Sequence, residues 1–140
     1  MSAANKAIVR RAIDAISRGD VHEALTCIAP NYLYHGPGVE VHGADGFTQV
    51  VNVYLAAFPD LSLAIEEQIA EGDLVMTRFT ARGTHRGELA GVQPSGRRVS
   101  VPCVLITRVE NEKIVEDREV FDQLGMFQQI GKLPALPAGV

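Results

Sequence analysis

Apolar residues recur at helical spacing along the first third of the chain. Ile8, Val9, Ala12, Ile13 and Ile16 share one stripe within residues 5–18, with polar residues opposite. Gly19 supplies a stop. Asp20 with Glu23 three positions on forms a capping-box pattern, which predicts a second helix striped by Ala24, Leu25 and Ile28 and closed by Pro30. Residues 32–38 are aromatic and then rich in Gly and Pro, so they read as a loop, and Val39 to His42 as a short strand. The third helix has the strongest pattern: Phe47, Val50, Val51, Tyr54, Leu55 and Phe58 form an unbroken stripe, ended by Pro59.

From Leu61 the period changes to two. Leu61, Leu63 and Ile65 alternate with Ser62, Ala64 and Glu66, and Glu71-Gly72-Asp73 predicts a hairpin turn into a strand over residues 74–82. A glycine-rich stretch and a loop around Pro94-Ser95-Gly96 follow. Residues 99–122 form the most β-branched segment, folded back at Glu110-Asn111-Glu112-Lys113. Pro102 fits an edge or a bulge better than a central, fully paired position. Residues 124–130 can make one last short helix. Helices that precede most of the strands point to an α+β fold rather than alternating βαβ units. The expected architecture is a curved antiparallel sheet of four long strands plus a short one, wrapped on three N-terminal helices around a pocket. Residues 1–131 make one domain and 132–140 a tail.

Composition narrows the function without naming it. The chain has 140 residues, 46% hydrophobic and 21% charged, with a net charge of -4 and no clustered basic face, so no nucleic-acid partner is expected. No apolar run reaches the ~20 residues a membrane helix needs, and the N-terminus lacks a signal-peptide pattern, so a cytoplasmic location away from membranes is expected. Cys27 and Cys103 suit buried thiols. Strands with apolar residues on both faces need two covers; helices provide one, and a second copy of the chain is expected to provide the other as a homodimer.

No dinucleotide fingerprint, Walker loop, nucleophile elbow or zinc-helix motif occurs, and His22, His35, His42 and His85 lack metal-ligand spacing, so neither cofactor nor metal is expected. What remains is ionisable groups beside apolar ones. The return arm of the last hairpin carries acids ending at Glu119 and Asp122. In one register Cys103, Leu105 and Thr107 share a face with Asp117, Glu119 and Phe121; one residue of slip replaces these by Arg118, Val120 and Asp122. The turn contains no glycine to decide between them. A carboxylate facing an apolar pocket has its pKa raised toward the range useful for proton transfer, whereas a surface strand would simply solvate its acids. His35 fits a pocket mouth or a solvated loop. His85, among glycines, fits a pocket group or a structural bond in a tight connection, and Tyr32, Tyr34 and Tyr54 fit the core or a pocket rim.

The residues also carry a family likeness. Ile8-Val9-Arg10-Arg11, Tyr32-Leu33, the run T-H-R-G-E-L-A-G-V-Q-P-S-G-R-R over residues 84–98, Arg108-Val109, Lys113-Ile114 and Gln129-Ile130-Gly131 together resemble the SnoaL-like polyketide cyclases over residues 5–131. The resemblance implies the cone-shaped α+β fold shared with ketosteroid isomerases and nuclear transport factor. It also implies cofactor-free ring closure by intramolecular aldol condensation. The family's acid falls on Glu119, and the histidine of its G-x-H-x-G run on His85; many members also carry an aspartate at Asp122. The Gln and His that characterised members place opposite the acid are Cys103 and Leu105 here, and the helical cavity positions Ile16 and Val50 are apolar. The expected ligand is therefore a hydrophobic, carbonyl-bearing small molecule, with Glu119 as general acid/base and Asp122 as the second candidate. An isomerase or epoxide hydrolase on the same scaffold, and a non-catalytic small-molecule binding protein, are the rival readings.

Overall fold

A computed structural model describes residues 2–132. Helix α1 (Ser2–Ser17) is followed by the short α2 (Val21–Leu25), strands β1 (Ile28–Gly36) and β2 (Val39–His42), and helix α3 (Gly43–Ala57). Strands β3 (Ser62–Glu71), β4 (Leu74–Thr84), β5 (Arg98–Glu110) and β6 (Lys113–Phe121) come next, and helix α4 (Gln123–Gln129) closes the described chain. Six strands form one curved sheet in the order β2-β1-β6-β5-β4-β3, in which β1 and β6 run parallel and every other pair antiparallel. The α+β cone is as expected, with six strands instead of five and, beside the three N-terminal helices, a fourth at the place of the short helix expected over 124–130. Of the expected tail, only Lys132 falls within the described residues.

The helix signals act where the pattern placed them. Gly19, at φ 75°, lets the backbone turn out of α1, a conformation that costs other residues energy. Asp20 Oδ1 then accepts the Glu23 amide at 3.0 Å. Helix α2 ends five positions later, so Ile28 and Pro30 belong to β1. The expected loop over 32–38 is mostly strand as well. Its pairing partner, β6, lies about 80 residues further on, and no local pattern announces a parallel neighbour.

Pro102 corrects a second expectation, because β5 is a central strand. Its carbonyl accepts the Asp122 amide at 3.3 Å, so its peptide edge faces the β6 side just past Phe121, the last paired residue of β6. A missing N–H costs no ladder bond there.

The β5–β6 hairpin turns on two residues, Asn111 and Glu112, both with positive φ (51° and 63°), as a tight primed turn requires. Glu110 pairs with Lys113 and Val109 with Ile114, but Arg108 pairs with Glu116. Val115 is thus the extra residue of a β-bulge, and beyond it every β6 residue is shifted by one. Without that shift Leu105 would face Arg118; with it, Leu105 faces Glu119.

Helices α1 and α3 lie over the concave face. Val9 and Ile13 from α1, Phe47 and Val51 from α3, and Val75 and Ile114 from the sheet form one core cluster. Each such side chain contributes about 1.5–3 kcal/mol through burial. A second cluster around Phe58, Phe79, Met126 and Ile130 closes the other end.

Candidate active site

Between the two core clusters the concave face encloses a cavity of about 160 Å³. Its walls are overwhelmingly apolar. The polar side chains on it are Asp117 and Glu119 from β6, Tyr32 and Tyr34 from β1, Tyr54 from α3 and Cys103 from β5.

Alternation along two adjacent parallel strands builds the polar corner. Tyr32 and Tyr34 are two apart on β1, Asp117 and Glu119 two apart on β6, and the parallel register sets Tyr34 beside Asp117. The Tyr32 hydroxyl donates to Asp117 Oδ2 at 2.7 Å, and the Tyr34 hydroxyl to Glu119 Oε1 at 2.6 Å. Asp117 also accepts from Thr107 Oγ1 at 2.5 Å, so a donor occupies each of its oxygens. No described residue donates to the second oxygen of Glu119.

Burial sets the electrostatics. It pushes the Glu119 carboxyl up to about 7; the Tyr34 hydrogen bond opposes this and the nearby charge of Asp117 adds to it. Burial also raises Asp117, to about 6, against the pull of its bonds from Thr107 and Tyr32. Tyr34 and Tyr54 are raised by burial and then by the charge of Glu119, so both stay protonated donors at neutral pH. The Cys103 thiol is pushed up to about 12 by burial, with Glu119 adding to it, which keeps it un-ionised.

Of the side chains singled out from sequence, the cavity brings together Glu119, Cys103, Leu105, Ile16, Val50 and Tyr54. Leu105 lies directly opposite Glu119 on β5. The other three lie elsewhere. Asp122 is exposed and caps α4, its Oδ1 accepting the Gly125 amide at 2.9 Å. His35 is one residue out of phase with the inward tyrosines and sits between carboxylates, its Nδ1 3.1 Å from Glu40 and its Nε2 3.4 Å from Glu116. His85 is wholly buried outside the cavity lining.

His85 accounts for the glycine-rich run around it. Its Nδ1 accepts the Ser95 amide at 3.1 Å, and its backbone bonds Arg97 and Gly96, which clasps the excursion between β4 and β5. The Arg86 and Gly87 amides donate to the Ala57 carbonyl at the end of α3. A Cβ on Gly83 would come within 2.9 Å of Phe58. The run thus fastens a loop to the helix that roofs the cavity.

Tyr32, Tyr34 and Asp117 were not singled out as site residues. Their signal is the matched period of two on both segments, which becomes visible only once residues 28–36 are known to be a strand.

Comparison with known proteins agrees with this fold. The model of the family described as SnoaL-like polyketide cyclase matches residues 6–130. An aklanonic acid methyl ester cyclase of Streptomyces peucetius, DnrD, is 31% identical, with 94% of each chain covered. The nogalonic acid methyl ester cyclase of Streptomyces nogalater is 30% identical over 85% of this chain and 91% of its own. Among solved structures, AclR, a candidate hydroxylase of Streptomyces galilaeus, superposes with a TM-score of 0.89 at 34% identity, covering 99% of this chain and 87% of its own. Among the described residues no helix is long and apolar enough to cross a membrane, and no group of three metal-ligating side chains forms.

Proposed function

Because the chain belongs to the SnoaL-like polyketide cyclase family, a family of cyclase-type enzymes, we propose that it closes a ring by intramolecular aldol addition on a hydrophobic, carbonyl-bearing small molecule, with Glu119 as the general acid/base. One observation carries this reading. A single carboxylate with an oxygen to spare lies in an apolar cavity, and its pKa of about 7 suits both taking and returning a proton. Glu119 removes a proton from carbon; the resulting enolate attacks the carbonyl carbon; the new alkoxide takes the proton back. Glu119 ends as it began. The apolar walls leave few groups to hold a hydrolytic water, which weighs against an epoxide hydrolase.

Aklanonic acid methyl ester, the compound in the relatives' names, is the first substrate to try. With it, or with a related anthraquinone-type ester, Glu119→Gln is expected to lose roughly 10³-fold in kcat, while Asp122→Asn keeps the wild-type rate. Full activity in Glu119→Gln would end the acid/base reading. Thermal stabilisation by the ester with no turnover in wild type would favour a binding protein instead. A product of unchanged mass separates ring closure from hydroxylation.

We further propose a homodimer through the sheet face away from the helices. Val104 and Val120 pair there, 36% and 71% exposed, with Ile106 beside them at 42%. Val120→Glu is expected to shift the sedimentation of a dimer to that of a monomer; unchanged sedimentation would exclude this face.

A further inference from the structure

The residues opposite Glu119 leave a gap in the chemistry. An aldol step develops negative charge on oxygen twice, first on the enolate and then on the alkoxide, and a positioned donor lowers both barriers. Leu105 has no donor, and Cys103 turns its weak S–H to the Val101 carbonyl at 3.5 Å. The donor must come from another strand.

We propose that Tyr34 is a catalytic hydrogen-bond donor whose hydroxyl follows the negative charge, from the Glu119 carboxylate in the resting enzyme to the substrate oxygen during reaction. This rests on Glu119 being the base. In the resting site the Tyr34 O–H holds Oε1 at 2.6 Å and leaves Oε2 to face substrate. When Oε2 takes the proton, the C–H electron pair becomes the enolate and Glu119 turns neutral. The carboxyl is then a weaker acceptor than the enolate oxygen. Rotation about the phenol C–O bond moves the Tyr34 proton to that oxygen, and no bond to Tyr34 is made or broken. After carbon–carbon bond formation the alkoxide takes the proton from Glu119, and the returning carboxylate recaptures the Tyr34 O–H. Protons and charge balance over the cycle.

Two features of the fold single out Tyr34 for this role. The first is room. A Cβ on Gly36 would fall 2.5 Å from the Tyr34 hydroxyl and 2.8 Å from its ring, so glycine at 36 is what lets the ring lie along the strand with its oxygen over β6. The second is the contrast with Tyr32, whose partner Asp117 already has a donor on each oxygen and so has none left to take a proton from substrate. The titratable groups facing Glu119 are Tyr32 and Tyr34 from β1, Tyr54 from α3, Cys103 from β5 and Asp117 along β6, and none is cationic.

The test compares Glu119→Gln, Tyr34→Phe and Gly36→Ala with wild type, using aklanonic acid methyl ester, steady-state kinetics from pH 5 to 9 and thermal melts. Tyr34→Phe is expected to lower kcat roughly 10²-fold with KM within threefold. It should also move the acid limb of the pH profile upward, because the hydrogen bond that holds the Glu119 carboxyl down is gone. Gly36→Ala should reproduce both effects more weakly. 3-Fluorotyrosine and 3,5-difluorotyrosine at position 34 keep the fold's volume and change phenol acidity, so kcat should vary with that acidity even if Tyr34→Phe fails to fold. A kcat within twofold of wild type for Tyr34→Phe, or no response across the fluorotyrosines, overturns the role of Tyr34. If Glu119→Gln is meanwhile inactive, the base reading stands; if it is fully active, the base reading itself is lost.

Discussion

Two tyrosine–carboxylate pairs lie side by side on β1 and β6 at the same spacing, one with an aspartate and one with a glutamate, yet they differ in what they can do. Tyr32–Asp117 is closed: Thr107 and Tyr32 saturate the aspartate, and Tyr32 is 1% exposed. Tyr34–Glu119 is open: one carboxylate oxygen is bonded, the other is available, and both side chains border the cavity. The open pair also has the higher carboxyl pKa, about 7 against about 6: a glutamate starts higher, at 4.5 against 3.8, and one hydrogen bond rather than two opposes burial. A buried acid becomes a catalyst when its hydrogen-bond capacity is left incomplete; the same acid fully satisfied becomes structure.

The most damaging way to break this comparison is to destroy both pairs at once. The double variant Asp117→Ala/Glu119→Ala removes both acceptors and leaves the buried hydroxyls of Tyr32, Tyr34 and Thr107 without their partners. Loss of all turnover and a Tm drop beyond 10 °C are expected, on the order of what several kcal/mol lost from a domain of this size produces. A stable, active double variant would refute the two pairs as the groups that hold and run this site.

A sharper cut separates the pairs. Tyr32→Phe strips one donor from buried Asp117 and should cost about 1.5–3 kcal/mol in a denaturation midpoint, with a smaller effect on kcat than Tyr34→Phe. Tyr34→Phe should show the reverse balance. Equal stability losses in the two variants would erase the distinction between a closed and an open pair.

The pH dependence gives a smaller effect with a definite sign. Glu119 has a folded pKa of about 7 against an ordinary 4.5, so ionising it costs folding free energy. That cost is absent below the unfolded value and grows as pH rises through the window from 4.5 to 7. Glu119→Gln should therefore melt a few degrees above wild type at pH 8, and the gain should vanish at pH 4.5. A constant offset at all pH values would contradict burial as the cause. Asp117→Asn, which removes a neighbouring negative charge, should shift the acid limb of kcat/KM to lower pH. The smallest effect is at the understudy acid: Asp122→Ala should cost about 1 kcal/mol by uncapping α4 and leave kcat alone.

Much of the fold was readable in order along the chain. The stripes of α1 and α3, the Gly19 stop, the Asp20 cap and the period-two strands after Leu61 are local signals, and local physics enforces them. The position of β1 was not readable, because a parallel partner some 80 residues away leaves no mark on Tyr32-Leu33-Tyr34-His35-Gly36 beyond an alternation too short to outweigh the glycines and proline beside it. Pro102 misled for a related reason: its cost depends on which edge of the strand faces a partner, and β6 ends one residue before it would matter.

The sequence by itself determined that this chain makes an α+β cone with an apolar interior and a hairpin carrying acids, because hydrophobic period and turn chemistry act over neighbouring residues. Only the tertiary structure decided which acid faces inward and what it meets there. A single bulged residue at Val115 sets the phase of every side chain beyond it, and a parallel strand from the far end of the chain supplies the two tyrosines. Side-chain phase in a sheet is a two-way choice that the packing of the whole sheet makes, so the chemistry of this cavity follows from a register no local pattern contains.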